Sequence, residues 1–170
     1  MTNRTYQQIT FTLFLLIFSC FAFTSCNKGP KQKTDIVVDH AFPACNWSYE
    51  QQILDFDFDI IDTARPYRIE FVLSYDTTLN ELEEVPVNVT IIAPDGMESF
   101  VSSTLNFDPK INKYITPSDQ PNVMNMKLIA FKNRKFNQTG KYTVEFYRKA
   151  PKADNYGINN LTMRVIPLKK

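Results

Sequence analysis

Apolar and acidic residues alternate without a break in one stretch of the chain: Leu54, Phe56, Phe58 and Ile60 interleave with Asp55, Asp57 and Asp59. A period of two puts one set on a core face and the other in water, which predicts a half-buried β-strand. Residues 67–75 repeat the pattern with Ile69, Phe71 and Leu73 against Arg68, Glu70 and Ser74, and residues 85–93 continue it with Val85, Val87, Val89, Ile91 and Ala93. Pro94-Asp95-Gly96 then supplies a turn, because proline presets its first φ and glycine accepts a positive one. Residues 98–107 run back from that turn as the second arm of a hairpin. Met124, Met126, Leu128 and Ala130 predict a further strand, Tyr142, Val144 and Phe146 another, and Leu161, Met163 and Val165 a last one. An earlier strand over 36–42 carries Ile36, Val38 and His40 on one face.

About eight strands at short intervals, with no long amphipathic helical pattern, predict an all-β fold: an antiparallel, immunoglobulin-like β-sandwich. A closed barrel is the alternative. Residues 139–144, Thr-Gly-Lys-Tyr-Thr-Val, have the form of a tyrosine corner, in which the Tyr142 hydroxyl bonds upstream backbone and pins a loop that crosses between sheets. Neither an internal repeat nor a low-complexity tract interrupts the series.

Ahead of the strands, residues 9–25 run without a charge behind a short head whose only charged side chain is Arg4. A basic head and an apolar run that ends on small residues are the parts of a signal peptide; a stably spanning helix needs ~20 apolar residues. Phe23-Thr24-Ser25-Cys26 resembles the lipobox of bacterial lipoproteins, with Phe23 where leucine is usual. Cys20 is the rival, but cleavage there leaves an apolar FAFTS on the mature chain. The expected organisation is therefore a signal peptide over 1–25, an acylated Cys26 with its tether over 26–34, and one β-sandwich domain over 35–170. Several acyl chains of the palmitate class make such an anchor effectively permanent, since each buried methylene contributes ~0.8 kcal/mol. Lys28, Lys31 and Lys33 flank Gly29 and Pro30 as either a headgroup-facing tether or a solvated linker.

Loss of residues 1–25 removes only Arg4 from nineteen basic side chains, which leaves eighteen of each sign. A neutral chain with interspersed charges gives no reason to expect a nucleic-acid partner. Of the three cysteines, Cys20 leaves with the signal and Cys26 is acylated, so Cys45 has no disulfide partner and the fold rests on its apolar core.

Catalytic parts are sparse. His40 beside Asp39 is the one histidine, and a structural, half-buried or exposed role outweighs that of a general base without an evident cleft. Cys45, beside Trp47, reads as a small buried hydrophobe rather than a nucleophile. Asp55, Asp57 and Asp59 project from one strand face at ~7 Å intervals, with Asp62 beyond; calcium needs oxygens converging from a loop, so a solvated face that discourages edge pairing is the better account. Glu81, Glu83 and Glu84 read as a polar hairpin tip. No phosphate loop or metalloprotease motif is present, and neither an enzyme activity, a cofactor, a metal nor a small-molecule substrate is expected. The Asn-x-Ser/Thr triplets at Asn46, Asn88, Asn137 and Asn160 carry no weight beside a bacterial lipobox, and the Asp-Thr triplets at Asp62 and Asp76 are loose patterns.

In order and spacing, the lipobox, Trp47, the 55–60 alternation, Asp62-Thr63 before Pro66-Tyr67, Pro94-Asp95-Gly96, Phe136 before Gly140-Lys141-Tyr142-Thr143, and Gly157-Ile158 ahead of Leu161 and Arg164 resemble the gliding-motility-associated lipoprotein family GldH of the Bacteroidota. The resemblance implies a membrane-attached, non-enzymatic accessory of the gliding and type IX secretion-linked envelope machinery, and it carries over no catalytic residue. The absence of an acidic run after Cys26 points to a periplasm-facing orientation. On this reading the domain holds other envelope proteins through a sheet edge or exposed loop aromatics, for which Trp47, Tyr49, Tyr67 and Tyr156 are the candidates; an ordinary core position is the alternative for each and the better account of Tyr67. The rival, from another class, is a carbohydrate-binding β-sandwich with an aromatic platform. A row of exposed aromatics on one sheet face favours glycan, and a long uncovered edge strand favours a protein partner.

Overall fold

The computed structural model describes residues 31, 32, 34–149 and 153–169; the predicted signal peptide, Cys26 and most of the tether lie outside them. Among the described residues the chain runs through β1 (Ile36–Ala41), a short 3-10 turn (Pro43–Cys45), β2 (Asn46–Trp47), β3 (Ile53–Ile60), β4 (Tyr67–Asp76), β5 (Glu84–Ile92), β6 (Glu98–Asn106), β7 (Ile115–Pro117), β8 (Val123–Arg134), β9 (Gly140–Arg148), β10 (Asn155–Tyr156) and β11 (Ile158–Pro167). Every segment with a period of two became a strand. The three that gave no signal, β2, β7 and β10, are too short to show a period.

Five strands form one sheet in the order β1-β11-β4-β8-β7, four form a second in the order β3-β9-β5-β6, and β10 pairs with β2 on its own. The long strands pair as one antiparallel ribbon folded back on itself: β1 with β11, β3 with β9, β4 with β8, and β5 with β6. Successive rungs of the ribbon alternate between the two sheets, and an eight-stranded ribbon rolled in this way is a jelly roll. The expected antiparallel sandwich of about eight long strands is thus present, with its cross-sheet tyrosine corner; the strand order further specifies it. The β5–β6 hairpin is the ribbon's tip. There Ala93 N donates to Met97 O and Gly96 N to Ala93 O, both at 2.9 Å, and Gly96 takes φ +81° as the Pro-Asp-Gly turn requires.

Residues 77–83 carry the chain from β4 in one sheet to β5 in the other. Glu81 and Glu83 therefore lie on a crossover, with Glu84 opening β5, rather than at a hairpin tip. Parity along a strand says which way side chains point but not which sheet the strand joins.

The inner faces meet in a core that includes Phe56, Phe71 and Phe146, with ring centroids 5.6 Å apart for Phe56–Phe71 and 4.7 Å for Phe71–Phe146. At one end of the sandwich two crossovers are tied by tyrosine hydroxyls. Tyr142 OH donates to Gln138 O at 2.9 Å, which pins the β8–β9 crossover, and Tyr67 OH donates to Asp62 O at 2.5 Å, which pins the β3–β4 crossover. Both rings pack on Phe136, at 4.7 and 5.3 Å between centroids. A buried hydroxyl needs a partner, and a backbone carbonyl of the loop beneath supplies one.

Along β8 the expected alternation holds for Met124, Met126 and Leu128 and then slips. Glu70 faces Ile129 but its neighbour Ile69 faces Phe131, so Ala130 is an extra residue and the inward position passes to Phe131. This is a β-bulge, which twists and bends its strand.

Candidate functional site

Four strands stand at sheet edges: β1 and β7 in one sheet, β3 and β6 in the other. On one flank β1 lies against β3; on the opposite flank β6 lies against β8. β7 is only three residues long and ends in Pro117, so it offers little to a further strand. The two edges of the four-stranded sheet are both long.

Their main-chain groups can be assigned from register. In an antiparallel pair, alternate residues bond the partner while the intervening ones point away. Ala93 N donates to Met97 O and Phe107 N to Glu83 O, so the odd-numbered residues of β6 bond β5; Lys149 N donates to Pro86 O, which turns Pro86 toward β9 and leaves its β6 neighbour Thr104 facing outward. Phe100, Ser102 and Thr104 consequently present N–H and C=O groups to the open edge, and among the described residues none of these has a backbone partner. Side chains engage the two ends of this stretch: Asn112 Nδ2 donates to Asn106 O at 2.8 Å, and Arg134 Nη2 of β8 donates to Ser99 Oγ at 2.7 Å. No charge, proline or bulge interrupts residues 99–106, and Phe100 is 71% exposed. These are the devices by which an edge is normally blunted.

On β3 the same reasoning gives the opposite result. Arg148 N donates to Gln52 O, which turns even-numbered residues toward β9 and leaves the main chain of Ile53, Asp55, Asp57 and Asp59 facing out. Each outward amide after Ile53 stands beside an exposed carboxylate. Asp57 is bound by Lys141 Nζ at 2.7 Å and by Thr143 Oγ1 at 2.7 Å, and these two bonds, Lys141's first, hold its carboxyl below the usual aspartate range. The three carboxylates stand along the strand as predicted and do not converge; no group of metal-binding side chains forms among the described residues.

Beside the β6 edge lies an open cleft of ≈ 380 Å³, lined in part by Thr104 and Asn106 of β6, Ile111 to Tyr114 of the next loop, and Lys127 to Ile129 with Lys132 of β8. Three lysines line it, Lys113, Lys127 and Lys132, and no carboxylate does. Lys127 Nζ is 3.9 Å from the buried Glu70 carboxylate, which Arg68 and Arg164 also approach, at 3.0 and 3.5 Å. Lys113 lies over the Tyr114 ring, 5.4 Å from its centroid.

The remaining predicted residues fall elsewhere. Trp47, expected as a contact aromatic, is 1% exposed and belongs to the core: its Nε1 donates to Gln51 O at 2.8 Å and its ring packs on Phe42 and Phe146. Tyr67 is likewise core. Tyr49 and Tyr156 are exposed, at the β2–β10 end. Cys45, expected to be buried, is exposed in the 3-10 turn at φ +53°, because the turn points its side chain away from the sandwich. His40 is half-buried against Phe42, and burial lowers its pKa. No helix among the described residues is long and apolar enough to cross a membrane.

Arg148 escaped the sequence reading. It is the next inward position after Phe146, 1% exposed, with its guanidinium 5.1 Å from the Trp47 ring and bonded to the carbonyls of Trp47, Ser48 and Ala153. Burial lowers its basicity, and nearby Asp154 opposes that shift. Asp154 in turn accepts from Tyr49 N at 2.9 Å, and that bond leads the lowering of its own pKa. The group is a polar plug that closes the β2–β10 end of the core, and the parity of β9 was the signal for it.

Exposed aromatics do not line up. On the outer face of the four-stranded sheet Phe100 of β6 is exposed while Tyr147 of β9 is half-buried and separated from it by β5, and Tyr49, Tyr114 and Tyr156 sit on other elements.

No family model and no curated protein matches the chain. Among solved structures it is similar to a non-crystalline cellulose specific carbohydrate-binding module, CBM28, at 11% identity and a TM-score of 0.44, over 84% of this chain and 80% of that one.

Proposed function

We propose that this chain is a lipid-anchored protein of the bacterial cell envelope, periplasm-facing and without catalysis, that holds a partner protein against the open β6 edge. In the role that its resemblance to GldH implies, the partner belongs to the gliding or type IX secretion-linked machinery. The observation that carries the reading is the unblunted edge: three residues with unpaired main-chain groups within residues 99–106, a stretch of β6 free of charge, proline and bulge. Such an edge recruits a strand from another chain by main-chain hydrogen bonds.

A second reading, a glycan-binding sandwich, draws on the cleft, whose lining includes Tyr114 with Asn106 and Asn112. One experiment separates the two. The wild-type chain, Cys26→Ala and Ser102→Pro are crosslinked in cells and purified from detergent-extracted membranes. Gliding or secretion components should be recovered with the wild type and lost with Ser102→Pro, whose missing N–H points outward and leaves the β5 pairing intact. Cys26→Ala should appear in the soluble fraction. Undiminished recovery with Ser102→Pro would remove the edge from the account, and retention of Cys26→Ala in the membrane would remove the anchor.

A further inference from the structure

We infer that the segment received by the β6 edge is acidic at the end that enters the cleft; this rests on the reading of β6 as a partner-binding edge. Thr104 belongs to both features: it presents its main chain to the open edge and is one of the residues that line the cleft. A strand laid along Phe100, Ser102 and Thr104 therefore runs into the cleft when it continues past Thr104. Strand residues advance ~3.4 Å each, so about five residues cover the edge and the next few reach the lysines.

Charge decides what those few residues are. Lys113, Lys127 and Lys132 line the cleft without a carboxylate among the lining residues. Lys127 is the most committed, to Glu70 at 3.9 Å; Lys113 and Lys132 form no ion pair among the described residues, and Lys132 is exposed. At the opposite end of β6 Glu98 stands beside Ser99, whose Oγ accepts from Arg134 Nη2 at 2.7 Å, so one charge of each sign meets there and no excess of lysines gathers as it does in the cleft. The bound segment is consequently polar in one sense only, with an apolar residue beside exposed Phe100 and carboxylates at the cleft end. Neighbouring charges of opposite sign also set register, because a slip by one residue turns every side chain to the other face.

The neutrality of the domain conceals this arrangement. The β3 flank carries Asp55, Asp57 and Asp59, and the β6–β8 flank carries the three lysines. A second copy could in principle present its own acidic edge to the basic one, but its Asp57 is already held by Lys141 and Thr143. An extended acidic segment of another protein is the better match.

The test uses the full chain in detergent micelles and fluorescent ten-residue peptides of alternating Val and Thr that end in Asp-Glu-Asp, in Lys-Lys-Lys or in Ser-Ser-Ser, read by fluorescence polarisation. The acidic peptide should bind at least tenfold more tightly than the other two, more weakly as salt rises, and tenfold less tightly to Lys113→Glu/Lys132→Glu. Ser102→Pro, checked for an unchanged melting midpoint, should abolish binding of every peptide. Equal binding of all three peptides, lost only in Ser102→Pro, would overturn the acidic partner while leaving the edge in place. Acidic binding indifferent to Ser102→Pro, or replaced by binding of polygalacturonate, would overturn both. Concentration-dependent self-association of the wild type, abolished by Ser102→Pro, would make the occupant a second copy and overturn the proposal.

Discussion

β3 and β6 are the two edges of one sheet, both long, both antiparallel to a single neighbour, and both with alternate amides facing out. They differ in what stands beside those amides. Asp55, Asp57 and Asp59 guard β3; Phe100, Ser102 and Thr104 leave β6 bare. The backbone makes the same offer on both flanks, and side chains withdraw it on one. Solubility requires that unplanned pairing be suppressed, so an edge left open beside one so thoroughly closed is the molecule's most informative asymmetry.

The largest effect should come from erasing the difference on β3. Asp55→Thr/Asp57→Thr/Asp59→Thr keeps the inward face and opens the edge, and should turn a dispersed protein into soluble oligomers or precipitate. Sedimentation velocity is the measurement; a chain that remains monomeric would show that the carboxylates do not guard the strand. Next in size is the reverse exchange. Phe100→Asp/Ser102→Asp/Thr104→Asp should cut partner recovery at least tenfold while the fold survives, since these positions face solvent. Recovery at the wild-type level would place the partner elsewhere.

Both exchanges presume a scaffold that holds the flanks apart, and the two tyrosines at the crossovers test it. Tyr142→Phe and Tyr67→Phe each leave a loop carbonyl without its donor and should cost about 1 kcal/mol or more, read as a lower denaturant midpoint; an unchanged midpoint would show that Phe136 packing alone secures that end. The smallest effects are in pH. The Asp57 carboxyl titrates below its unfolded value, so the stability that its bonds supply is present above the ordinary aspartate range and is lost as pH falls through the lowered pKa. His40, lowered by burial, binds its proton more readily when unfolded, so stability falls as pH drops below 6.5. His40→Gln should flatten the neutral-side slope, and Asp57→Asn the acid-side one; identical melting curves from pH 3 to 7 in the variants and the wild type would dismiss both.

The sequence carried the strands more fully than the site. Alternation over 54–60 was unmistakable because one face is all carboxylate, and the Pro-Asp-Gly hairpin and Tyr142 corner rest on local chemistry that short sequence can show. What failed were inferences that needed neighbours. Trp47 could be either a contact aromatic or core, because nothing local reveals that Phe42, Phe146 and Arg148 enclose it. Arg148 went unnoticed because the three carbonyls that receive its guanidinium come from segments remote in sequence or beyond the strand end. The β6 edge was invisible for the most general reason: a strand becomes an edge only when the sheet order is known. The expectation that a partner would use an edge was therefore available, but not which one.

The rolled ribbon also has a mechanical consequence. β1 is the first strand after the tether and its partner β11 is the last, with register pairs from Ile36↔Val165 to Ala41↔Asn160. If the chain hangs from Cys26, any pull from a partner enters the domain through β1. Tension directed along that strand loads all of its rungs together, in shear, instead of opening them singly like a zipper. The β5–β6 hairpin lies at the other end of the same ribbon, so with the proposed anchor and the proposed partner both in place the domain would be a link strung between them under tension.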